Sequence, residues 1–356
     1  MNLNHFVYQS QPQRVVFGSG TLQQLKQEIE LLGCHKALVL CTPEQTDQAQ
    51  MVLDILGSSA VGIYDRAVMH VPIETAREAQ AIAQSLGADC AVAIGGGSTT
   101  GLGKAIALDS GLPIIAIPTT YAGSEMTPVY GITENNIKKT GKDARVLPKT
   151  VIYDPDLTTS LPLEISITSG INAIAHAAEG LYAQDGNPIM NLLATEGIRA
   201  LAQGLKKLVL NDQDIEARSE CLYGAWLCGT VLGNVGMALH HKLCHTLGGT
   251  FNLPHAPTHT IILPHAIAFN EVARPDITEK ITRALGVKQG SAGQALFDLI
   301  QDLNAPTQLK SLNFKQEDII KATEIALSNP YWNPRKFNSK DINYILTNAF
   351  NGVRPH

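Results

Sequence analysis

The short apolar runs in the first half of the chain leave few folds open. Gln13 to Phe17, Lys36 to Cys41 (KALVLC), Val61 to Tyr64, Cys90 to Ile94 and Ile114 to Ile117 are rich in Val, Ile and Leu and bounded by Gly or Pro. Between them lie segments with helical periodicity, Leu22 to Leu32, Gln45 to Leu56 and the Ala-rich Ile73 to Leu86. Runs without polar alternation read as strands covered on both faces, and strands alternating with helices build a mainly parallel sheet. After the strand-like VIYDP, Asp154-Pro155-Asp156 marks a boundary. Beyond Leu161 the pattern is helical: Leu163 to Gln184, Ile189 to Leu208, Asp214 to Gly229, Gly233 to Leu247, then shorter runs. The expected architecture is an α/β domain over residues 1–156 followed by an all-α domain over 157–356. A length of 356 residues, more than one hydrophobic core usually serves, agrees with two domains.

Composition narrows the partners. With 44% hydrophobic and 17% charged residues the chain reads as soluble and globular. No apolar run approaches the roughly 18 residues that a membrane span needs. The opening MNLNHFVYQSQPQRVVFG lacks the charged start and apolar core of a signal peptide. Six scattered cysteines form no close pairs and read as reduced core residues, with Cys244, between histidines, the one with chemical company. A cytoplasmic protein is expected. The net charge of −5 comes without a basic patch that would suit nucleic acid, and the five basic residues between Lys138 and Lys149 read as a solvated hairpin.

The turn after Cys90 to Ile94, GGGSTTGLGKAIAL, combines glycines at a strand end with the start of a helix. Glycines let a backbone approach a pyrophosphate, and unpaired N–H groups at a helix start carry partial positive charge. The spacing is neither GxGxxG, since Thr100 holds the third position, nor a P-loop, since Ser98 replaces the first Gly and Ala105 follows Lys104. Gly95, Gly96, Gly97, Ser98 and Thr99 are nonetheless the candidate phosphate-binding residues. Thr119 and Thr120, in PTTYAGSE, either line a ribose or nicotinamide or cap an ordinary turn. Thr42 and Pro43 follow the KALVLC strand where an NAD-selective fold often carries a carboxylate, which leaves both NADH and NADPH open, with Thr42 a further coenzyme candidate.

Six of the eleven histidines fall between Gly233 and Asn270. Histidine changes charge nearest neutral pH and is the commonest metal ligand, so the clustering points to chemistry. His241 and His245 are four apart on a helical pattern and share a face, as do Asn172 and His176 upstream, with Glu179 a turn further on. His255 follows a Pro after a loop of small residues and reads as arriving from outside the helix. His240, off the shared face, reads as a core histidine, and His259 and His265 as structural.

Together GGGSTTGLGKA, PTTYAGSE, NAIAHAAE, HHKLCHTLGG and LPHAPTHTIILPHAIAFN resemble the iron-containing (group III) alcohol dehydrogenase family over almost the whole chain. The resemblance implies a dinucleotide-binding α/β domain, an all-helical domain, an active site in the cleft between them and a homodimer. In metal-dependent members an Asp and three His hold the ion, and those positions fall on Asn172, His176, His241 and His255. Asn172 brings no negative charge, and Gly101 stands where such members usually carry another Asp. FVYQSQPQRVVFGSG, ITENNIKKTGKDARVLPKTVIYDP and NPYWNPR point within the family to the subgroup that reduces the C=C bond of maleylacetate to 3-oxoadipate without metal.

That reaction suits a metal-free pocket. Hydride added to an alkene conjugated to a ketone leaves charge spread over an enolate, which hydrogen-bond donors can hold. The expected catalytic residues are His241, His245, His176, His255 and Asn172, with a protonated His241 or His245 delivering the proton. The expected cofactor is NADH or NADPH with no metal, and the expected partner a small dicarboxylate, for which Arg145, Lys149 and Arg335 are cations by residue type alone. The alternatives are a metal-dependent alcohol or polyol dehydrogenase, a dehydroquinate-synthase-like lyase and a catalytically silent nucleotide-binding protein.

Overall fold

A computed structural model of the chain describes residues 6–134 and 137–356. Met1 to His5, part of the segment read above for a signal peptide, and Asn135 and Asn136, within the ITENNIKK motif, lie outside the described residues.

The strands are β1 (Arg14–Phe17), β2 (Ala37–Leu40), β3 (Ala60–Tyr64), β4 (Cys90–Gly95), β5 (Ile114–Pro118), β6 (Val129–Glu134), β7 (Ile137–Lys142) and β8 (Thr150–Tyr153). Six of them form one sheet in the order β1-β8-β5-β4-β2-β3, every pairing parallel. Alternation along the strands divides the core between two faces. Val39, Val92, Ile94, Ile115 and Ile117 point to one side, against Leu25 and Ile29 of helix α1 (Leu25–Leu31) and Val52 of α2 (Thr46–Leu56). Leu38, Leu40 and Ala91 point to the other, against Ala76 and Ala79 of α3 (Ile73–Ser85) and Leu102 and Ile106 of α4 (Gly97–Ser110). The basic segment opens in an antiparallel hairpin, β6 with β7, where Lys139 pairs with Glu134 at 2.6 Å.

The remaining helices are α5 (Leu163–Gly180), α6 (Pro188–Leu210), α7 (Ile215–Asn234), α8 (Leu239–Phe251), α9 (His255–Glu271), α10 (Pro275–Ala284), α11 (Ala292–Asp302), α12 (Asp318–Ser328) and α13 (Ser339–Asn351). The fold is therefore an N-terminal α/β domain and a C-terminal all-α domain. Among the described residues no single helix is long and apolar enough to cross a membrane.

The compact units are Ser10–Leu161 and Pro162–His356, the latter joined by residues 6–9. The break falls a few residues after Asp154-Pro155-Asp156 because those carboxylates still serve the sheet. Asp154 accepts from the N–H groups of Gly20 at 3.1 Å and Leu22 at 2.9 Å, and Asp156 from the Ser19 hydroxyl at 2.6 Å.

The helix expected from Gly233 to Leu247 is a break and a restart. α7 ends at Asn234 and α8 begins at Leu239, and between them Gly236 N–H is taken by Asp185 at 2.8 Å and Ala238 N–H by Glu179 at 2.9 Å. Carboxylates remote in sequence outcompete the helical bonds that these groups would otherwise make. The loop expected at His255 is also corrected: His255 is the first residue of α9, which runs on through an internal Pro264.

Helices α6 and α7 approach closely along Gly197, Gly204 and Gly224. A Cβ on Gly224 would lie 2.7 Å from Leu201 Cγ, 2.9 Å from Leu201 N and 3.0 Å from Gly197 O, two of which are backbone atoms that cannot swing aside. Although Ala favours helix over Gly, Gly224→Ala is expected to destabilise the helical domain by about 1–3 kcal/mol in urea unfolding. A neutral or stabilising effect would refute the close approach.

Candidate active site

In the α/β domain, Gly95 to Thr99 leave the carboxyl end of β4 beside β2, on whose far side the chain had placed β3 before returning, so the turn lies at the reversal of strand order where such sheets bind ligands. Gly95 has φ 148°, a conformation that favours glycine. A Cβ there would also lie 2.4 Å from Gln45 Oε1 and 2.6 Å from Thr99 Oγ1. Gln45 ties the candidates together: its Oε1 accepts from Thr42 Oγ1 at 3.3 Å and its Nε2 donates to Thr119 Oγ1 at 2.8 Å. Thr120 flanks Gly96, where a Cβ would meet its Cγ2 at 3.1 Å. Gly97, Ser98 and Thr99 form the first turn of α4, and Thr99 Oγ1 is buried without a hydrogen-bond partner among the described residues. The structure thus gathers Thr42, Gly95, Gly96, Gly97, Ser98, Thr99, Thr119 and Thr120 at one sheet end. Sequence reasoning missed Gln45, which has no motif of its own.

Lys104, in the same helix, is buried, and its Nζ donates to Ser124 O at 2.6 Å, Thr127 Oγ1 at 2.9 Å and Val129 O at 2.8 Å. It pins the loop that follows the Thr119-Thr120 pair. Burial pulls its pKa down to about 7 while the charge of Glu125 opposes the shift.

In the helical domain the organising group is Glu179 on α5, fully buried. Its carboxylate accepts from the backbone N–H of Ala238 at 2.9 Å, His240 at 2.8 Å and His241 at 3.3 Å, and from Tyr182 Oη at 3.1 Å. These N–H groups open α8, a helix start that favours negative charge. His241 Nδ1 lies 2.6 Å from Glu179 Oε2. Burial pushes the Glu179 carboxyl up, but the bonds from His241, Ala238 and His240 outweigh it and hold it below the usual carboxylate range.

From this carboxylate a chain of bonds runs in one consistent direction. Glu179 accepts from His241 Nδ1–H, which leaves His241 Nε2 as acceptor for His176 Nδ1–H at 2.9 Å, and His176 Nε2 as acceptor for the Asn172 amide N–H at 3.3 Å. Asn172 Oδ1 is buried with no partner among the described residues. His176 and His241 are each 3% exposed and Asn172 2%, so three of the five proposed catalytic side chains form one buried group. His245 and His255 stand at its edge, both exposed. The His245 ring centroid is 5.9 Å from that of His241, and its Nδ1 is 3.0 Å from Tyr331 Oη. His255 packs its ring 4.3 Å from that of His259.

His240 is more than a filler. Its Nε2 is 2.9 Å from His259 Nδ1 and 3.7 Å from Cys244 Sγ, all three side chains buried. Burial first, and neighbouring imidazoles second, push both histidines well below their ordinary pKa, and burial drives the Cys244 thiol well above its own. These are neutral groups packed behind His241. Of the three cations proposed for carboxylates, Arg335 donates to Phe269 O at 3.0 Å and lies over the Phe269 ring, while Arg145 pairs with Asp143 at 2.8 Å and, with Lys149, belongs to the α/β domain.

A model described as "Iron-containing alcohol dehydrogenase" matches residues 12–155, and one for the C-terminal part of the Fe-containing alcohol dehydrogenase family matches residues 166–350. The chain belongs to the iron-containing alcohol dehydrogenase family. It is 60% identical to the maleylacetate reductase of Burkholderia cepacia, covering 99% of this chain and 100% of that one. Two crystal structures are close: maleylacetate reductase from Agrobacterium tumefaciens, at 49% identity, and from Rhizobium sp. strain MTP-10005, at 50%. Each has a TM-score of 0.95, and each likeness covers 99% of this chain and 100% of the other.

The metal implied by the family's name fits this donor set poorly. Asn172 offers no charge, the nearby carboxylate of Glu179 is committed to a helix start, and the facing nitrogens of His176 and His241 bond to each other. At position 101, a Cβ would already lie 2.9 Å from Val71 Cγ2, so an Asp there would have to displace that side chain.

Two outcomes test this geometry. Glu179→Gln replaces a carboxylate that receives several N–H bonds with an amide that brings its own donors, and is expected to cost about 3 kcal/mol or more in urea unfolding; a change under about 0.5 kcal/mol would refute the role. His265, with Nε2 buried and unpartnered among the described residues, has its pKa lowered by burial to about 4. The unfolded chain therefore binds a proton that the folded one resists, and stability is full above about pH 6.5 and falls toward pH 4. His265→Leu should remove up to about 3 kcal/mol of that acid loss. Identical pH profiles of unfolding in variant and wild type would contradict this.

Proposed function

We propose that this chain reduces the C=C bond of maleylacetate to 3-oxoadipate with hydride from NADH or NADPH, without a catalytic metal. The full-length likeness to the Burkholderia cepacia maleylacetate reductase carries the substrate. The cluster chemistry supports the metal-free route, since its buried imidazoles bond to one another and to an amide instead of presenting a charged ligand set.

Hydride adds to the alkene carbon distal to the ketone, the π electrons move onto the ketone oxygen as an enolate, and one proton then reaches the carbon between them; the products are 3-oxoadipate and NAD(P)+. The residues at the end of β4 and the first turn of α4 bind the coenzyme pyrophosphate, with Thr42, Thr119 and Thr120 around it. In the helical domain the roles divide by burial and exposure. Both ring nitrogens of His241 are engaged, by Glu179 and His176, so His241 positions the cluster. His245, exposed to water from which it can be reprotonated, delivers the proton, and Asn172, His176 and His255 shape the pocket that receives the enolate.

We further propose a cytoplasmic homodimer. Six free, buried cysteines agree with a reducing compartment, and β1, an edge strand exposing Phe17, offers a surface for a second copy.

Purified protein should oxidise NADH or NADPH in the presence of maleylacetate at a rate unchanged by EDTA. Activity lost to chelator and restored by a divalent ion would decide for a metal-dependent alcohol or polyol dehydrogenase. His245→Ala should lower kcat by roughly 100-fold or more while coenzyme affinity holds, and a wild-type rate would reject the proton-donor assignment.

A further inference from the structure

Beside His245 stand two residues that the histidine cluster and the coenzyme turn do not use. Tyr331, in the NPYWNPR segment, places Oη 3.0 Å from His245 Nδ1. Lys242, three residues before His245 on α8 and so on the same side of the helix, holds its Nζ 5.6 Å from the centroid of the Tyr331 ring. One aromatic ring therefore touches both the proposed proton donor and an ammonium.

The segment that carries the ring is anchored. Asn333 and Asn270 exchange amide hydrogen bonds at 2.9 and 2.7 Å, Asn333 Nδ2 also donates to Arg335 O at 2.6 Å, and the Arg335 guanidinium lies 3.9 Å from the centroid of Phe269. These contacts tie the segment that carries Tyr331 to α9, two residues from the ring over which the Lys242 ammonium lies.

Lys242 is half-buried, and among the described residues its ammonium has a ring face and no carboxylate as partner. The cation of the Tyr331 segment itself is committed, since Arg335 donates to Phe269 O at 3.0 Å and lies over the Phe269 ring. A partly desolvated ammonium gains more from an anion than a fully hydrated one does. A dianionic substrate, which acquires further negative charge on hydride transfer, needs such a cation beside the atom that is protonated.

We propose that Lys242 binds a carboxylate of the substrate and that Tyr331 holds the Lys242 ammonium and the His245 imidazole in register with it. This rests on the functional reading above. The carboxylate contact exists before and after hydride transfer, so its loss falls mainly on KM, whereas loss of the Tyr331 bond misplaces the donor and falls on kcat.

Steady-state kinetics with maleylacetate and NADH test it, on Lys242→Met, Lys242→Arg and Tyr331→Phe, each checked for wild-type thermal unfolding. Lys242→Met should raise KM for maleylacetate and Ki for 3-oxoadipate by roughly tenfold or more and leave KM for NADH in place, and Lys242→Arg should recover most of the loss. Tyr331→Phe should lower kcat in the wild type and change nothing further in a His245→Ala background. Unchanged KM and Ki in a folded Lys242→Met enzyme, equal losses in the Met and Arg variants, or additive loss in the double variant overturn the proposal. A wild-type protein inactive on maleylacetate removes the functional reading itself, while an active wild type with an indifferent Lys242 removes this inference alone.

Discussion

The helical domain depends on a carboxylate placed against a helix start. Glu179 meets the backbone N–H groups that open α8, where unpaired donors and the helix dipole both favour a negative charge. Because the same carboxylate also takes His241 Nδ1, the group that stabilises the helix also fixes the tautomer of the imidazole next to it, and through it the tautomer of His176 and the orientation of the Asn172 amide. Stability and site geometry are thus one interaction. Tyr182 adds a bond to Glu179 and is itself held by Asn270, which reaches the NPYWNPR segment through Asn333.

The cluster that results is built mainly of neutral groups. With Asn172 in place of a carboxylate, the buried groups are imidazoles, an amide and a thiol, and the one buried anion is saturated by donors. Such a pocket holds delocalised charge through oriented hydrogen bonds, which act strongly where water is scarce. At the edge of this group Lys242 and His245 both contact Tyr331.

In the α/β domain the decisive constraint is steric. Gly95 stands so close to Gln45 and Thr99 that any side chain would collide, and its φ of 148° is one that other residues avoid. Absence of a Cβ there lets the end of β4 turn into α4 directly beneath the polar residues from β2 and β5. Gln45 knits these edges, and the buried lysine of α4 secures the loop beyond.

Much of this was legible in the residues themselves. Parallel strands followed from apolar runs without alternation, the strand-to-helix turn from glycines at a strand end, and the pairing of Asn172 with His176 from helical spacing, since these rest on periods of two and 3.6 that any local stretch displays. What lay out of reach were partners set by chain closure. Glu179 meets a helix start 59 residues on, His240 finds His259, Tyr331 reaches His245 across 86 residues, and Gln45 bridges to Thr119. The same distant carboxylates broke the helix that local pattern predicted through Gly233 to Leu247. Sequence by itself determined which elements form and which side chains share a face. Only the tertiary structure decided which buried polar groups satisfy one another, because a hydrogen bond in the interior is settled by whatever donor the folded chain brings within 3 Å, and spacing along the chain carries no record of that.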